Sequence, residues 1–459
     1  MYAPGVRTTY RLTKPLSGPA DRAGAGRCAR LPQMSRIAIV GTGYVGLTAG
    51  ACFAHLGHQV ACGDIDEAKV EGLSAGQLPI VEAGLADLVR EGLDAGRLSF
   101  VVGAAAAVEG CEVAFLCVPT PQHPDGSADT ALLEAAVREM ATAMPAGAIV
   151  VNKSTVPVGS TRVVSDALGR DDLAVVSNPE FLREGSAVRD FLEPDRVVVG
   201  ADDPSAAEAV AALYDGVNSP VLVTDPVSAE TIKYAANAFL VTKLSFVNSI
   251  AAVCESVGAD VDDVMTGLGH DRRIGSGYLR PGPGWGGSCF PKDTRSLLQM
   301  AGRAGYDFRF LDVAVAVNEE QFDRVADKVR KAAGGDLAGR TVAAWGLTFK
   351  AGTDDLRDSP ALAVIDRLLT AGATVRAHDP TVAAARPPIP DDVVVVSDLM
   401  AACDGADVLV VLTEWDNFQA ADPAAVADRL TRPAVVDARN LLDRALWEGH
   451  GFEYQGIGR

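Results

Sequence analysis

The segment Arg36-Ile37-Ala38-Ile39-Val40-Gly41-Thr42-Gly43-Tyr44-Val45-Gly46 joins a short apolar run to a glycine-rich turn. The apolar run predicts a buried strand, and the G-x-G-x-x-G pattern after it predicts a turn that opens a helix. Gly41 and Gly43 permit a tight turn and the close approach of a pyrophosphate, and Gly46 lets the helix pack on the strand. Tyr44 and Val45, in the same turn, are predicted to contact the dinucleotide.

A second strand is predicted at residues 58–64, and it ends on an acid. Asp64 lies twenty-one residues after Gly43, the spacing of the acid that binds the ribose in dinucleotide sites. Its carboxylate can accept hydrogen bonds from ribose hydroxyls and would repel a 2′-phosphate. A glycine pattern alone is weak evidence, but its setting between two strands makes it specific. The sequence therefore predicts a Rossmann domain that binds NAD in preference to NADP.

The strand pattern continues on both sides of one long helix. Strands are predicted at 113–118, 148–152 and 174–177, and Thr120 and Thr155 follow two of them, where ligands of doubly wound sheets bind. Residues 226–258 predict a helix long enough to bridge two domains or to form a subunit contact. Strands at 341–345, 374–377, 407–412 and 434–437 predict a second dinucleotide-type sheet that lacks a full glycine fingerprint.

We therefore predict an α/β protein with two Rossmann-like doubly wound domains joined by a long central helix. The expected parts are an NAD-binding domain at 34–224, a central helical region with a cysteine loop at 225–325, and a nucleotide-binding domain at 326–459. Residues 1–33 are basic within an acidic chain and have no periodic apolar face, so we expect a disordered extension or a start assigned upstream of Met34.

Composition excludes several classes of function. The net charge of -19 argues against nonspecific binding to nucleic acid and against docking on an anionic membrane. Eight cysteines occur singly, with no C-x-x-C pair, so neither a metal site nor a disulfide framework is predicted. No apolar run approaches the roughly 20 residues that span a bilayer. A reduced cytoplasm is the expected compartment.

One cysteine stands in an unusual setting, which we call the cysteine loop (residues 282–293). Four glycines precede Cys289, and Pro291 after it suits the first turn of a helix. A thiol at a helix start with Lys292 nearby is placed for a lowered pKa and reactivity. The alternative is a structural cysteine in a tight loop. Lys233 and Asn237, four residues apart on the long helix, project together, either as functional donors or as solvated side chains.

From Arg36 to about Leu442 the chain resembles the UDP-glucose/GDP-mannose dehydrogenase family. The matching motifs are GTGYVG (41–46), PTP (119–121), NPEFLREG (178–185), KYAAN (233–237), RIG (273–275), the cysteine loop and GLTFK (346–350). The resemblance implies oxidation of a sugar C6 hydroxyl to a carboxylate with two NAD per turnover and no metal. It also implies a homodimer formed through the long helix.

The resemblance assigns catalytic roles to residues of this chain. The Cys289 thiolate would capture the C6 aldehyde as a thiohemiacetal, whose loss of hydride gives a thioester. Glu180 would act as base for the hydrolysis of that thioester, with Thr120 and Asp293 holding the water.

Negative charge that develops on the C6 oxygen requires hydrogen-bond donors, which the resemblance assigns to Lys233 and Asn237. It implies cofactor contacts, besides the fingerprint and Asp64, by Lys69, Thr120, Thr155, Glu184, Lys292 and Arg357. It implies substrate contacts by Glu180, Phe181, Leu182, Arg183, Glu184, Lys233, Asn237, Arg273, Tyr278, Leu279, Gly282, Gly286 and Lys350, with Arg273 serving the neighbouring subunit.

One segment departs from the family pattern. Val81 and Ala83 stand where the family usually has an aromatic residue and a proline, which we expect to change a loop near the cofactor without touching a catalytic group. The sugar is predicted from residues 281–287, which resemble those of members that act on UDP-glucose. GDP-mannose and UDP-N-acetylmannosamine are the alternatives within the family, and a non-catalytic nucleotide-binding protein is the alternative outside it.

Overall fold

The computed structural model describes residues 34–123 and 129–459. Our expectation for residues 1–33 lies outside the described residues. The chain divides into two units, Met1–Tyr234 (unit 1) and Ala235–Arg459 (unit 2). The predicted division into three domains stays a prediction.

Within its described residues, unit 1 contains one eight-stranded sheet with helices on both faces. The strands are β1 Arg36–Val40, β2 Gln59–Asp64, β3 Leu98–Val102, β4 Val113–Leu116, β5 Ile149–Asn152, β6 Ala174–Ser177, β7 Val197–Ala201 and β8 Val221–Thr224. The helices are α1 Tyr44–His55, α2 Glu67–Ser74, α3 Leu85–Asp94, α4 Ala104–Ala107, α5 Ala131–Ala141, α6 Ser160–Leu168, α7 Ala187–Leu192 and α8 Pro204–Ala212.

The strand order of this sheet is β3-β2-β1-β4-β5-β6-β7-β8, and its first six strands have the order of a dinucleotide-binding domain. Every pair is parallel except β6 with β7. Alternate residues of β1 enter the cores on opposite faces, Ile37 and Ile39 on one side and Ala38 and Val40 on the other. The apolar run is continuous because both faces of the sheet are covered.

A single helix, α9 Pro226–Val257, contains the boundary between the two units and has nearly the predicted bounds. Asp225 caps its start by accepting from Ser228 N–H at 2.8 Å, and Gly258 follows its end with φ +76°. By length and composition α9 could cross a membrane, so our expectation of no such segment is wrong. The apolar composition comes from residues 234–251, in which Lys243 is the one charged side chain. Val241, Val247 and other side chains of this helix pack in the cores of unit 2.

Unit 2 contains a second parallel sheet, of six strands among the residues described. The strands are β9 Thr341–Trp345, β10 Thr374–His378, β11 Val393–Val395, β12 Val408–Val411, β13 Ala434–Asp437 and β14 Glu453–Gln455, in the order β11-β10-β9-β12-β13-β14. The helices are α10 Val261–Gly269, α11 Phe290–Arg303, α12 Arg309–Ala332, α13 Pro360–Thr370, α14 Leu399–Cys403, α15 Asp416–Gln419, α16 Pro423–Ala427 and α17 Arg444–Gly449. This order repeats that of the first six strands of unit 1, so the prediction of two doubly wound sheets is confirmed.

Candidate active site

The glycine-rich turn has the geometry that a dinucleotide site requires. Gly41 has φ +96°, and a Cβ there would lie 2.7 Å from the Cys117 carbonyl oxygen. A Cβ at Gly46 would lie 1.9 Å from the Gly41 oxygen, so this glycine is needed for α1 to pack on β1. A Cβ at Gly43 would meet nothing within 4 Å. The open side of the turn at the start of α1 therefore fits the pyrophosphate of NAD.

Asp64 lies at the end of β2 beside this turn. Its carboxylate accepts from the Thr42 hydroxyl at 2.5 Å, from Thr42 N–H at 3.1 Å and from Lys69 Nζ at 2.7 Å. Burial raises the pKa of Asp64, but the hydrogen bonds from Lys69 and Thr42 outweigh it and lower the pKa to about 2. An ionised carboxylate at this position fits ribose hydroxyls and repels a 2′-phosphate. Lys69 thus lies where the cofactor's ribose is expected.

Replacing Asp64 with asparagine is expected to weaken NAD binding roughly tenfold and to strengthen NADP binding, because the repelling charge is lost while Lys69 remains to meet a 2′-phosphate. The dissociation constants of both dinucleotides, measured by calorimetry on the wild type and the variant, test this. Lys69→Met in the same background should cancel the gain for NADP. Unchanged NADP affinity in Asp64→Asn would contradict the assignment.

A buried carboxylate that we did not predict connects the cofactor turn to the NPEFLREG segment. Glu82 accepts from the Tyr44 hydroxyl, from Gly185 N–H at 2.7 Å and from Ala187 N–H at 2.8 Å. Gly185 N–H also donates to the Tyr44 oxygen at 2.7 Å. The segment around Val81 therefore contacts a predicted cofactor residue directly. The sequence signal that we missed was an acidic residue, Glu82, between the apolar residues Val81 and Ala83.

Glu180 and Lys233 form a buried ion pair in unit 1. Lys233 Nζ lies 2.9 Å from Glu180 Oε1, and the two side chains are 6% and 5% exposed. Leu182 N–H donates to Glu180 Oε2 at 2.7 Å. Burial raises the pKa of Glu180, but the Lys233 ammonium outweighs it and holds that pKa below its usual value. Glu180 is therefore ionised, as a general base must be, while Lys233 has a partner that it would have to share with a substrate.

Other predicted residues of unit 1 are already engaged with neighbours. The Thr120 hydroxyl donates to the Thr155 carbonyl at 2.6 Å, which joins two predicted cofactor residues at the carboxyl ends of β4 and β5. Arg183 forms a two-pronged ion pair with Asp190. The Arg196 guanidinium lies 3.5 Å from the centre of the Phe181 ring. Glu184 is half-buried.

In unit 2, Asp293 holds two other predicted residues. The carboxylate is 1% exposed, and its Oδ2 accepts from Asn237 Nδ2 at 2.6 Å. Its Oδ1 accepts from Lys292 Nζ, also at 2.6 Å. Asn237 extends from α9 and Asp293 from the first turn of α11, so two elements distant in sequence meet here. Asp293 thereby orients the amide of Asn237 through one of its two N–H donors, and the same amide nitrogen carries a second N–H.

Cys289 is the N-cap residue of α11, with Pro291 in the first turn as predicted. Among the seven cysteines that the structure describes it alone is half-buried, and the other six are buried. Burial raises the pKa of Cys52, Cys111, Cys117 and Cys403 to about 12. Access and helix position therefore single out one thiol.

Iodoacetamide at low stoichiometry is expected to label Cys289 at least tenfold faster than any other described cysteine. The physical reason is that alkylation needs an accessible thiolate, which burial denies to the others. Peptide mass spectrometry after a time course measures the rate at each site. Equal labelling of Cys52 or Cys403 in the folded protein would contradict the assignment.

Three glycines of the cysteine loop make close contacts within the protein that leave no room for a side chain, and the predicted substrate contacts of Gly282 and Gly286 stay predictions. A Cβ at Gly284 would lie 2.4 Å from the Phe322 ring, one at Gly286 1.9 Å from the Asp358 oxygen, and one at Gly287 2.8 Å from the Phe349 ring. At Gly282 alone the nearest atom, 3.5 Å away, belongs to a long side chain, Arg439. Close packing of the loop backbone against two aromatic rings and one backbone oxygen explains the composition.

Polar side chains of α9 and α12 anchor the same loop. The Asn318 amide accepts from Trp285 N–H at 2.8 Å and donates to the Trp285 carbonyl at 2.9 Å. The indole of Trp285 donates to the Ser245 hydroxyl at 2.9 Å. Asn248 and Gln321 bind the backbone of Gly282. The loop that carries Cys289 is therefore held rigidly within unit 2.

We expect Gly286→Ala to lower the free energy of unfolding by about 3 kcal/mol, because the new methyl group would meet the Asp358 backbone oxygen rather than a flexible side chain. Gly267→Ala, in α10 with open space around it, is the matched control and should be neutral or stabilising by about 0.5–1 kcal/mol. Chemical denaturation of the three proteins measures both. Equal stability of Gly286→Ala and the wild type would refute the close approach.

The remaining predicted substrate and cofactor residues either lie near this loop or are exposed on the surface. Tyr278 has φ +60°, a rare conformation outside glycine, and Leu279 is buried. Arg273 is 89% exposed and pairs with Asp271, so its service to a neighbouring subunit stays a prediction. Arg357 is also exposed and pairs with Asp355.

A cation that sequence analysis missed lies at the predicted substrate loop. Arg439 follows β13, its guanidinium lies against Gly282, and it donates to the Phe349 and Leu412 carbonyls at 3.0 and 2.8 Å. Lys350, whose Nζ is 5.4 Å from the centre of the Phe349 ring, lies beside the same aromatic residue. Two cations near one glycine-rich loop suit a diphosphate. Among residues 34–123 and 129–459, no group of three or more His, Cys, Asp or Glu side chains is arranged to hold a metal.

A doubly wound sheet with a dinucleotide fingerprint and an acid at the end of its second strand defines the class of NAD-binding dehydrogenases. Three domain models of one family match consecutive parts of the chain: the NAD binding domain at residues 35–218, the central domain at 227–320 and the UDP binding domain at 343–444. The chain belongs to the UDP-glucose/GDP-mannose dehydrogenase family. Both the predicted family and NAD as cofactor are thereby confirmed.

Curated relatives and solved structures agree with this membership. The chain is 44% identical to the UDP-glucose 6-dehydrogenase of Rhizobium meliloti over 92% of its own length and 99% of the relative's. It is 42% identical to UDP-glucose 6-dehydrogenase TuaD of Bacillus subtilis, over 93% and 94%. The UDP-glucose dehydrogenase structure from Pyrobaculum islandicum matches with a TM-score of 0.86 at 38% identity, over 94% of this chain and 100% of that one.

Proposed function

We propose that this protein oxidises the C6 hydroxyl of UDP-glucose to a carboxylate, forming UDP-glucuronate, as an NAD-dependent oxidoreductase. The observation that carries the mechanism is Cys289, the one half-buried thiol among the described cysteines, which lies at the start of α11, four residues before the buried Asp293 that binds Asn237. Support for the sugar comes from relatives. A relative named for UDP-glucose is 44% identical, whereas a GDP-mannose dehydrogenase structure from Pseudomonas aeruginosa is 30% identical. The TM-score of that structure is 0.51, against 0.86 for the UDP-glucose dehydrogenase structure.

The first oxidation removes a hydride from C6 and the proton of the hydroxyl, leaving an aldehyde. NAD, when bound, supplies the hydride acceptor in each of the two oxidations. The Lys233 ammonium and the Asn237 amide are proposed to hydrogen-bond the C6 oxygen, where negative charge develops. The Asp293 carboxylate fixes the orientation of that amide. These side chains thus stabilise the same oxygen in the alkoxide and in the tetrahedral adduct.

Cys289 is proposed to add to the aldehyde carbon through its thiolate, which forms a thiohemiacetal. Loss of the second hydride from C6 converts this adduct into a thioester, with the C–S bond kept. Water then attacks the thioester carbon, Glu180 accepts the proton of that water, and the thiolate leaves as the carboxylate forms. Because Glu180 is ionised in the resting protein, it is ready to accept a proton at neutral pH.

Counting NADH formed per sugar consumed tests the function. Purified protein with limiting UDP-glucose and excess NAD is expected to form two NADH for each UDP-glucuronate. GDP-mannose and UDP-N-acetylmannosamine, assayed in parallel, are expected to be much poorer substrates. A ratio of one would exclude the four-electron reaction, and a preference for either other nucleotide sugar would reassign the substrate within the family.

We further propose that the protein is a cytoplasmic homodimer with α9 at its interface. Phe239, Phe246 and Val253 recur at seven-residue intervals on this helix and are 65%, 51% and 52% exposed. Such a stripe suits a second copy of the same helix. Sedimentation of the wild type and of Phe246→Glu tests this, since a charge in the stripe should shift the species toward monomer. An unchanged dimer would place the interface elsewhere.

A further inference from the structure

A buried lysine that the proposed mechanism does not use contacts Asn178, two residues before the proposed base Glu180. Lys153 directly follows β5, and only 3% of it is exposed. Its Nζ donates to Asn178 Oδ1 at 3.1 Å and to the Tyr214 oxygen at 3.3 Å, and it lies 5.9 Å from the centres of the Phe191 and Tyr214 rings. All of these partners are neutral. Lys153 forms none of the ion pairs between side chains that the structure describes.

An ammonium buried among neutral groups costs much free energy, and stability alone does not explain it. Its hydrogen-bond partners would be satisfied without it, because the Tyr214 hydroxyl donates to Asn178 Oδ1 at 2.6 Å and the Asn178 amide donates to the Val198 carbonyl at 2.8 Å. Lys153 is therefore not needed to complete this network. Buried ionisable groups of this kind concentrate at functional sites.

The titratable groups that face Lys153 come from several elements, and among the described residues only one of them carries an opposite charge. Burial raises the pKa of Cys52 on α1 and of Cys117 after β4 to about 12, and it also raises the pKa of Tyr214 after α8. These three groups are neutral at physiological pH. Glu180, two residues after Asn178, is the remaining group, and Lys153 helps Lys233 to lower its pKa.

We propose that Lys153 is a positioning residue for the reaction: its buried charge keeps the Glu180 carboxylate ionised when Lys233 turns to the substrate, while its ammonium holds Asn178 and so the backbone that leads to Glu180. This inference rests on the proposed function of Glu180 and Lys233. Lys233 cannot neutralise Glu180 fully and donate to the C6 oxygen at the same time. A second cation, fixed away from the reacting atoms, removes that conflict.

Lys153→Met tests the proposal, because methionine has a similar volume and no charge. The acid limb of the kcat–pH profile with UDP-glucose and NAD is expected to move up by about one pH unit, so that kcat on that limb falls about tenfold. At those pH values the variant should accumulate the thioester on Cys289, seen as a mass increase after an acid quench. The thermal midpoint at pH 7 should be equal to or higher than that of the wild type, because a costly buried charge is gone.

Tyr214→Phe is the matched control, since it alters the same network and keeps the charge of Lys153; its acid limb should coincide with that of the wild type. Lys153→Gln, a second neutral variant, must move the limb in the same direction even if Lys153→Met folds poorly. An acid limb unchanged in the neutral variants, or moved equally in Tyr214→Phe, overturns the proposal. Wild-type protein that fails to form two NADH per UDP-glucose would instead count against the proposed function.

A readout without substrate completes the test. Because Lys153 helps to lower the pKa of Glu180 in the folded state, the resulting stability is present above the pKa of an unfolded glutamate and is lost as pH falls through the folded pKa. Raising that folded pKa makes this contribution smaller. The thermal midpoint of Lys153→Met should therefore fall less than that of the wild type on acidification from about pH 7 to about pH 4. An equal fall overturns the electrostatic part of the proposal.

Discussion

Cys289→Ser is expected to lower kcat for UDP-glucuronate formation by about 10³-fold or more. A serine hydroxyl at this N-cap position is not ionised at neutral pH. In the hydrolysis step, an alkoxide leaves an ester far less readily than a thiolate leaves a thioester. The aldehyde would then be neither captured efficiently nor released as a carboxylate. Steady-state NADH formation with saturating UDP-glucose and NAD gives the rate, and chromatography of the nucleotide sugars shows which product forms.

Cys403→Ser is the control for a change from sulfur to oxygen. Cys403 is buried in α14, and its thiol donates to the Leu399 carbonyl at 3.7 Å, a bond that a serine hydroxyl can replace. This variant should keep the wild-type rate. Full uronate formation by Cys289→Ser would refute a covalent route through this thiol.

Glu180→Gln is expected to stall the reaction after the second oxidation, with kcat lowered by about 10³-fold. Leu182 N–H and the Lys233 ammonium donate to different oxygens of Glu180, so glutamine, with one acceptor oxygen, can keep one of these two bonds. It cannot take a proton from water, and the thioester should therefore persist. The expected signature is a rapid burst of two NADH per active site, followed by slow turnover and a uronyl adduct on Cys289 detected by mass spectrometry.

Glu230→Gln is the control, because it neutralises another buried carboxylate, on α9 three residues before Lys233. Glu230 accepts from the Thr161 hydroxyl at 2.7 Å and from Gly159 N–H, contacts that hold the start of α6. Its loss should reduce stability without producing an adduct. If Glu180→Gln showed no burst and no adduct while its first oxidation proceeded normally, Glu180 would not be the base for hydrolysis.

Local features of this fold were predictable because local physics produces them. The turn at Gly41, the helix from Asp225 to Gly258 and the strand ending on Asp64 each follow from adjacent residues: positive φ, caps and apolar periodicity. The doubly wound class of both sheets was also predictable, because strands that alternate with helices favour a parallel sheet with helices on both faces. The antiparallel pairing of β6 with β7 was not predicted, because no local signal marks the direction in which a strand joins a sheet.

The candidate site was predicted as a set of residues but not as a set of pairs. Lys69 was predicted as a cofactor residue, yet its ion pair with Asp64 was not foreseen. Asn237 and Asp293, predicted separately as oxyanion donor and water holder, are hydrogen-bonded to each other. Pairing depends on which distant segments the fold brings within about 3 Å, and a sequence does not display that distance.

Sequence alone determined that this chain is a two-sheet α/β dehydrogenase with an NAD fingerprint and one distinctive cysteine, because each of those features is written in neighbouring residues. Only the tertiary structure showed what the glycines before Cys289 contact: Gly284, Gly286 and Gly287 leave room for Phe322, Asp358 and Phe349, respectively. It also showed that Lys153 is buried, donates to the Asn178 side chain and forms no ion pair with the side chains that the structure describes. The physical reason is the same in both cases, since burial and electrostatic environment are properties of packed neighbours rather than of the chain.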